Sequence, residues 1–244
     1  LIPEMLESLL EKKKITEDSG AYVASLNTDP KILITKSDGS YLYLTTDLAT
    51  VINRKSQNFD TVLYVVDKRQ SLHFNQLFQC VEYFGIDTAD FQHIAFGTVN
   101  DSLGNPFKTR EGGTKKLIDL FDETKDYVKD INKKLSDSTV NILANTILTY
   151  SDLITNRKTD YKFDLEKFSN ISGKTGIYVQ YALVRAKTLF HKSELKLKKE
   201  FYTTKLDEKD LSLIHSLMKF EIYFEQSLNN SCLLYTSPSP RDIG

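Results

Sequence analysis

Apolar and polar positions along this chain follow two different periods, and the change of period divides it. Over roughly the first hundred residues, short apolar runs alternate with helical stretches. Residues 1–14 set Leu and Ile at helical spacing and finish on Lys12-Lys13-Lys14, where cations complement a helix C-terminus, so a first helix is predicted there. Ala21–Leu26 and Ile32–Thr35 read as β-segments, followed by a Ser37-Asp38-Gly39-Ser40 turn. Tyr41-Leu-Tyr-Leu-Thr45 predicts a short strand that runs through Thr and Asp caps into a helix over Asp47–Arg54. Thr61–Val66 is apolar and β-branched, the pattern of a buried parallel strand. A helix over Ser71–Phe84 closed by Gly85, then a strand over Phe91–Val99, complete a β-α-β-α-β alternation. Such alternation predicts an α/β fold with a doubly wound parallel sheet.

From Lys115 onward the period is helical. Leu117, Leu120, Phe121, Val128 and Ile131 fit one amphipathic helix, and further helices are expected over Val140–Ile154, Tyr178–Lys192 and Asp207–Leu228. The charge-rich stretch Leu195–Lys205 reads as a solvated helix face or, beside RNA, as a phosphate contact.

Composition narrows the picture. With 244 residues, 40% hydrophobic and 27% charged, the chain suits one large domain or two small ones and buries a core. A net charge of -1 argues against general coating of nucleic acid while leaving room for a local basic face. Cys80 and Cys232 offer neither metal spacing nor a disulfide framework, so a reducing cytoplasm is expected. No apolar run approaches the ~18 residues of a membrane span, and the N-terminus lacks a signal-peptide pattern. The chain starts at Leu1 rather than Met, which leads us to expect a fragment. Cys232–Asp242, with Pro238 and Pro240, looks like the conceptual translation of a sequencing adaptor and is set apart from the fold.

Three places carry candidate chemistry. The richest is Gly104–Lys116, which holds three glycines and four cations. Glycines let backbone approach an anion, and Lys and Arg add charge-assisted hydrogen bonds, so this reads as a phosphate-gripping loop or else a plain solvated turn. Tyr43 and Asp47 stand four residues apart at a predicted strand-to-helix turn. That carboxylate suits a planar guanidinium, unless Asp47 is only a helix N-cap. Gln70 and His73 follow the strand ending at Val66, where polar groups meet small ligands in open α/β sheets.

Taken in order, these residues resemble a known family. Tyr43-x-x-x-Asp47-Leu-Ala, Gln70-Ser-Leu-His73-Phe and the loop Gly104–Thr114 come first. Tyr150-Ser-Asp152-Leu153, Asn156-Arg157, Asp160-Tyr161-Lys-Phe163-Asp164 and Gly176-Ile-Tyr178-Val-Gln180-Tyr181-Ala182-Leu-Val-Arg185 follow. Their succession resembles the arginyl-tRNA synthetases, class I aminoacyl-tRNA ligases, over nearly all of residues 5–225. The resemblance implies the C-terminal half of a Rossmann-type sheet followed by an all-α region. It implies residues 1–114 as catalytic domain, 115–165 as a helical connector, 166–231 as the opening of an anticodon-binding domain, and 232–244 as the adaptor-like tail.

It also implies roles. Tyr43 and Asp47 would hold the guanidinium of arginine, and Gln70 the amino acid; His73 receives no role. Phe96, Gly97 and Val99 would lie against the adenine of ATP. Phe107, Lys108, Thr109, Arg110, Gly112 and Gly113 would close over its phosphates, with Lys108 and Arg110 catalytic through the charge of the leaving pyrophosphate. Tyr178, Gln180 and Arg185 would face tRNA. ATP with Mg²⁺, arginine and tRNA(Arg) are the implied substrates and partners of a monomeric, cytoplasmic protein, with no metal ligand assigned on the chain. Departures are visible: Pro106 and Thr109 stand where the class pattern has lysines, Asn105 replaces a common Lys, and Ser169–Thr175 departs mildly from a Gly-Asn-Thr stretch. The His-Ile-Gly-His-type signature is absent from the chain, so this polypeptide alone is expected to be inactive in ATP–pyrophosphate exchange. Two other readings stand beside it: a nucleotidyl transferase with a different substrate on the same sheet, and a non-catalytic RNA-binding paralogue or relic.

Overall fold

The computed structural model describes residues 1–101, 103–105, 115–193 and 206–233. The chain divides into two units, Leu1–Phe96 and Gly97–Gly244. In the first, helix α1 (Ile2–Glu11) carries Pro3 in its first turn and buries Met5 and Leu9 one helical turn apart. It stops before the expected lysine finish, since Lys13 takes a left-handed conformation. Lys14 turns inward instead, donating to the Tyr83 carbonyl at 2.8 Å and lying 4.2 Å from the centre of that ring. Strands β1 (Ile15–Asp18) and β2 (Ala21–Ala24) form an antiparallel hairpin. The first of these was not expected from the sequence. Ile32–Thr35 runs alongside through isolated bridges only, Val23 to Leu33 and Thr35 to Tyr41.

The largest correction falls on Tyr41–Thr45, which is not a strand. Helix α2 spans Tyr43–Arg54, with Leu42 at its N-cap. Its buried residues Leu44, Leu48 and Val51 recur at helical spacing, which outweighs the alternating Tyr-Leu-Tyr-Leu run just before them. Thr45 secures the entry: its hydroxyl accepts from the Leu42 N–H at 3.2 Å and donates to the Ile34 carbonyl. Asp47 therefore lies inside the helix and is not its cap.

Strand β3 (Thr61–Asp67), helix α3 (Ser71–Phe84) and strand β4 (Asp90–Phe96) make a βαβ unit. The strands pair in parallel, Thr61 with Asp90 through Asp67 with Phe96. Phe74, Leu77, Cys80, Val81 and Phe84 of α3 belong to one core with Tyr64, Val66 and Phe91 of the strands. Leu63 and Val65 point to the opposite face and are exposed, so β3 is covered on one side rather than buried on both. The expected strand Phe91–Val99 breaks at Gly97-Thr98.

In the second unit, β5 (Val99–Asn100) pairs in parallel with β6 (Tyr161–Lys162). Helices α4 (Leu117–Ile131), α5 (Asp137–Leu153), the short α6 (Leu165–Phe168) and α7 (Gly176–Lys192) accompany them. Val128, Val140, Ile147, Phe163 and Phe168 form their core. Ser136 and Thr175 cap α5 and α7, each accepting from a backbone N–H three residues on. The single helix expected over Asp207–Leu228 is two, α8 (Glu208–Met218) and α9 (Phe220–Asn229), broken at Lys219.

Candidate active site

Within the first unit, two helix beginnings converge. On α2, Tyr43 and Asp47 are four residues apart and so share a face, with the Tyr43 ring almost fully exposed. Asp47 reaches across to the first turn of α3, where the Nε2 of His73 lies 2.7 Å from Oδ2. A carboxylate only accepts, so Nε2 carries the proton. The imidazole is half-buried and meets Phe74 edge-on, with ring centres 5.1 Å apart. Phe74 in turn packs on His93 at 4.7 Å and Tyr64 at 5.0 Å. His93 is engaged with the Val66 carbonyl at 3.0 Å. An aromatic cluster rooted in β3 and β4 thus backs the ring that meets Asp47.

Gln70 is delivered to the same turn by the end of β3. The Asp67 carboxylate accepts from the Arg69 backbone N–H at 2.8 Å and from its Nε and Nη2 at 2.9 Å each. These bonds hold the carboxyl down at a pKa of about 2 and fix the tight turn Lys68–Gln70. Gln70 emerges exposed as the N-cap residue of α3. The structure therefore joins Asp47 to His73, while Tyr43 and Gln70 stand exposed on the same two helix starts outside that bond. Phe96 ends β4 and is partly exposed.

In the second unit, Gly97 lies against backbone. A Cβ there would sit 2.6 Å from the carbonyl carbon and oxygen of Thr159 and 2.8 Å from the Asp160 nitrogen. Gly97 N–H donates to Arg157 O at 2.7 Å, Thr98 N–H to Asp160 Oδ1 at 2.7 Å, and Tyr161 N–H to Thr98 O at 3.1 Å. Val99 continues this ladder in β5. Just beyond, the Asp101 carboxylate accepts from the Asn105 N–H at 2.8 Å. Phe107, Lys108, Thr109, Arg110, Gly112 and Gly113 lie outside the described residues. On α7, Tyr178 is exposed, and the Arg185 guanidinium lies 5.8 Å from the centre of the Tyr181 ring. Gln180 turns to α5, donating to Thr146 Oγ1 at 3.2 Å.

Sequence reasoning missed two partners. The Asp47–His73 bond joins residues 26 positions apart, and the Asp160 carboxylate captures the Thr98 amide across 62. Both residues stood inside quoted motifs, so the motifs marked them without saying what they touch.

The structure thus sets a partly exposed Asp47–His73 pair on two helix starts, beside a parallel βαβ unit. Residues 1–165 match the family described as tRNA synthetases class I (R), catalytic domain, and the chain belongs to that family. Among relatives, the arginine–tRNA ligase of Francisella tularensis is 45% identical over 197 residues, covering 78% of this chain and 34% of that protein. The arginine–tRNA ligase of Agathobacter rectalis is 35% identical over 257 residues, covering 94% of this chain and 43% of that one. Among solved structures, arginyl-tRNA synthetase of Plasmodium falciparum superposes with a TM-score of 0.76 at 26% identity, over 96% of this chain and 42% of that one. The Thermus thermophilus arginyl-tRNA synthetase shares the fold, with a TM-score of 0.75 at 17% identity over 96% of this chain and 48% of that one. The chain spans about a third of the length of the Francisella relatives.

Proposed function

We propose that this chain is part of an arginine–tRNA ligase, which activates arginine with ATP and transfers the arginyl group to the 3′ end of tRNA(Arg). The observation that carries the reading is Asp47: a partly exposed carboxylate held by His73 on the face it shares with Tyr43, inside a segment that matches the arginine-specific class I family.

The chemistry asks for positioning more than for a nucleophile on the protein. Asp47 pairs with the substrate guanidinium, which offers two parallel N–H donors to a carboxylate. Tyr43 and Gln70, exposed on the same two helix starts, orient the amino acid. The arginine carboxylate then attacks the α-phosphate of ATP, a P–O bond forms, and the bond to pyrophosphate breaks. Phe96, Gly97 and Val99 supply backbone edges for adenine. Lys108 and Arg110, with Phe107, Thr109, Gly112 and Gly113, stabilise the negative charge that grows on the pyrophosphate. A hydroxyl of the terminal tRNA ribose next attacks the activated carbonyl and AMP leaves. Tyr178, Gln180 and Arg185 belong to the tRNA side of this reading.

Mg²⁺ accompanies ATP phosphates and neutralises part of their charge. Among the described residues no group of three His, Cys, Asp or Glu suited to a metal occurs. The protein works as a monomer in the cytoplasm. No helix among the described residues is long and apolar enough to cross a membrane.

Arginine-dependent ATP–pyrophosphate exchange by the full-length protein carrying this segment tests the proposal. Asp47→Ala is expected to raise KM for arginine at least a hundredfold, the order expected when a charged partner is removed. Exchange driven by another amino acid, or indifference of arginine dependence to Asp47→Ala, would refute it. Exchange that fails for every amino acid while the protein still binds RNA would favour a non-catalytic relative.

A further inference from the structure

We propose that His73 is a positioning residue for substrate selection: its Nε2–H fixes the Asp47 carboxylate in the orientation that receives the arginine guanidinium. This rests on the reading that Asp47 meets the substrate cation.

Four observations carry it. Asp47 lies inside α2 and does not cap it, so its carboxylate is not consumed by the helix's own N–H groups. Its hydrogen bond to His73, at 2.7 Å, comes from a separate helix. The imidazole is backed by Phe74, in T-shaped contact with ring centres 5.1 Å apart, and Phe74 is itself buried against His93 and Tyr64. Finally, both side chains remain partly open to solvent, 26% for His73 and 37% for Asp47, as a group that must admit a ligand requires.

The chemical logic concerns which donor sits there. A carboxylate has about four acceptor positions, and a single N–H on Oδ2 leaves Oδ1 and the rest of Oδ2 for a two-pronged guanidinium. An Asp side chain turns about two bonds, and one rigid donor removes much of that freedom before arginine arrives. Imidazole supplies the donor without a permanent charge. A lysine in its place would form a standing ion pair and compete with the substrate for the same carboxylate.

The test uses the full-length protein and reads KM for arginine, KM for ATP and kcat in ATP–pyrophosphate exchange, with circular dichroism melting to verify folding. His73→Leu is expected to raise KM for arginine by about 10- to 100-fold while KM for ATP moves less than about threefold, the size of one hydrogen bond to a charged group. His73→Gln, whose amide nitrogen falls near the place of Nε2, is expected to recover most of that loss. His73→Asn, whose amide sits nearer the place of Nδ1, is expected not to. His73→Lys is expected to do worse than Gln because its charge occupies Asp47. The inference is overturned if the Leu variant keeps its arginine KM, if Gln and Asn behave alike, or if Lys equals the parent. Should Asp47→Ala also leave arginine dependence unchanged, the arginine reading itself fails, and that outcome is separate from failure at His73 alone.

Discussion

Replacing Gly97 by alanine puts one methyl group where two stretches of backbone almost touch. The new Cβ would lie 2.6 Å from Thr159 C and O, and ordinary contact begins at 3.4 Å, so the strands must separate by about 0.8 Å. Neither side can yield by rotating a side chain, because the obstructing atoms are main-chain. Overpacking of this kind costs about 1–3 kcal/mol. The hydrogen bonds of the same ladder, Gly97 to Arg157, Thr98 to Asp160 and Tyr161 to Thr98, stretch together, and each is worth about 1 kcal/mol. A less flexible unfolded chain returns about 0.4–1 kcal/mol. The net expectation is a loss of about 2–3 kcal/mol, read as a fall of roughly 1 M in the urea midpoint of the second unit. Far-UV circular dichroism and amide exchange at Thr98 and Tyr161 report it. In the full-length protein the same displacement moves the backbone edge assigned to adenine, so KM for ATP should rise tenfold or more while KM for arginine changes less. An alanine variant within about 0.5 kcal/mol of the parent, with unchanged exchange at Thr98, would refute the close approach.

Two further expectations follow from other elements. Gly176 opens α7 where a Cβ would sit 2.7 Å from Thr146 O and 2.9 Å from Tyr150 Cβ, so Gly176→Ala should cost about 1–3 kcal/mol in urea unfolding despite alanine's better helix propensity. Gly173 has positive φ and open space, so Gly173→Asn meets only the strain of the left-handed backbone; a Gly176→Ala variant as stable as the parent would contradict the packing of α7 on α5. The Asp67 carboxyl, lowered to about 2 chiefly by Arg69, should titrate near that value by carbon NMR. A depressed folded pKa means that its contribution to stability is present above about 3.9, the unfolded value, and is lost as pH falls toward 2. Arg69→Gln should move the midpoint upward, and an unmoved midpoint would rule out the guanidinium as its main cause.

The chain's own pattern determined much of the fold. The β-branched run at Thr61–Val66 and the helical period ending at Gly85 located β3 and α3, and the helical spacing after Lys115 located α4, α5 and α7. Local periodicity suffices where one face packs and the rest is solvated. It failed at Tyr41–Thr45, where alternation suggested a strand. There the Thr45 hydroxyl, bonded to Leu42 and to Ile34 eleven residues away, lets the helix begin at Tyr43. It also failed at Lys219, where one continuous apolar period is folded as two helices.

For the site, the sequence alone named Tyr43, Asp47, Gln70 and Gly97 as candidates, through the family resemblance that the ordered motifs carry. It left Asp47 equally readable as a cap and His73 without a role. Only tertiary packing showed that Asp47 is not a cap and that His73 meets it, since a 2.7 Å bond between helices α2 and α3 depends on how the βαβ unit folds back on α2. The same holds for Gly97, whose need for a bare backbone comes from Thr159, 62 positions away. A residue's type travels with the sequence, but what it touches is set by chain segments that meet only when the core has closed.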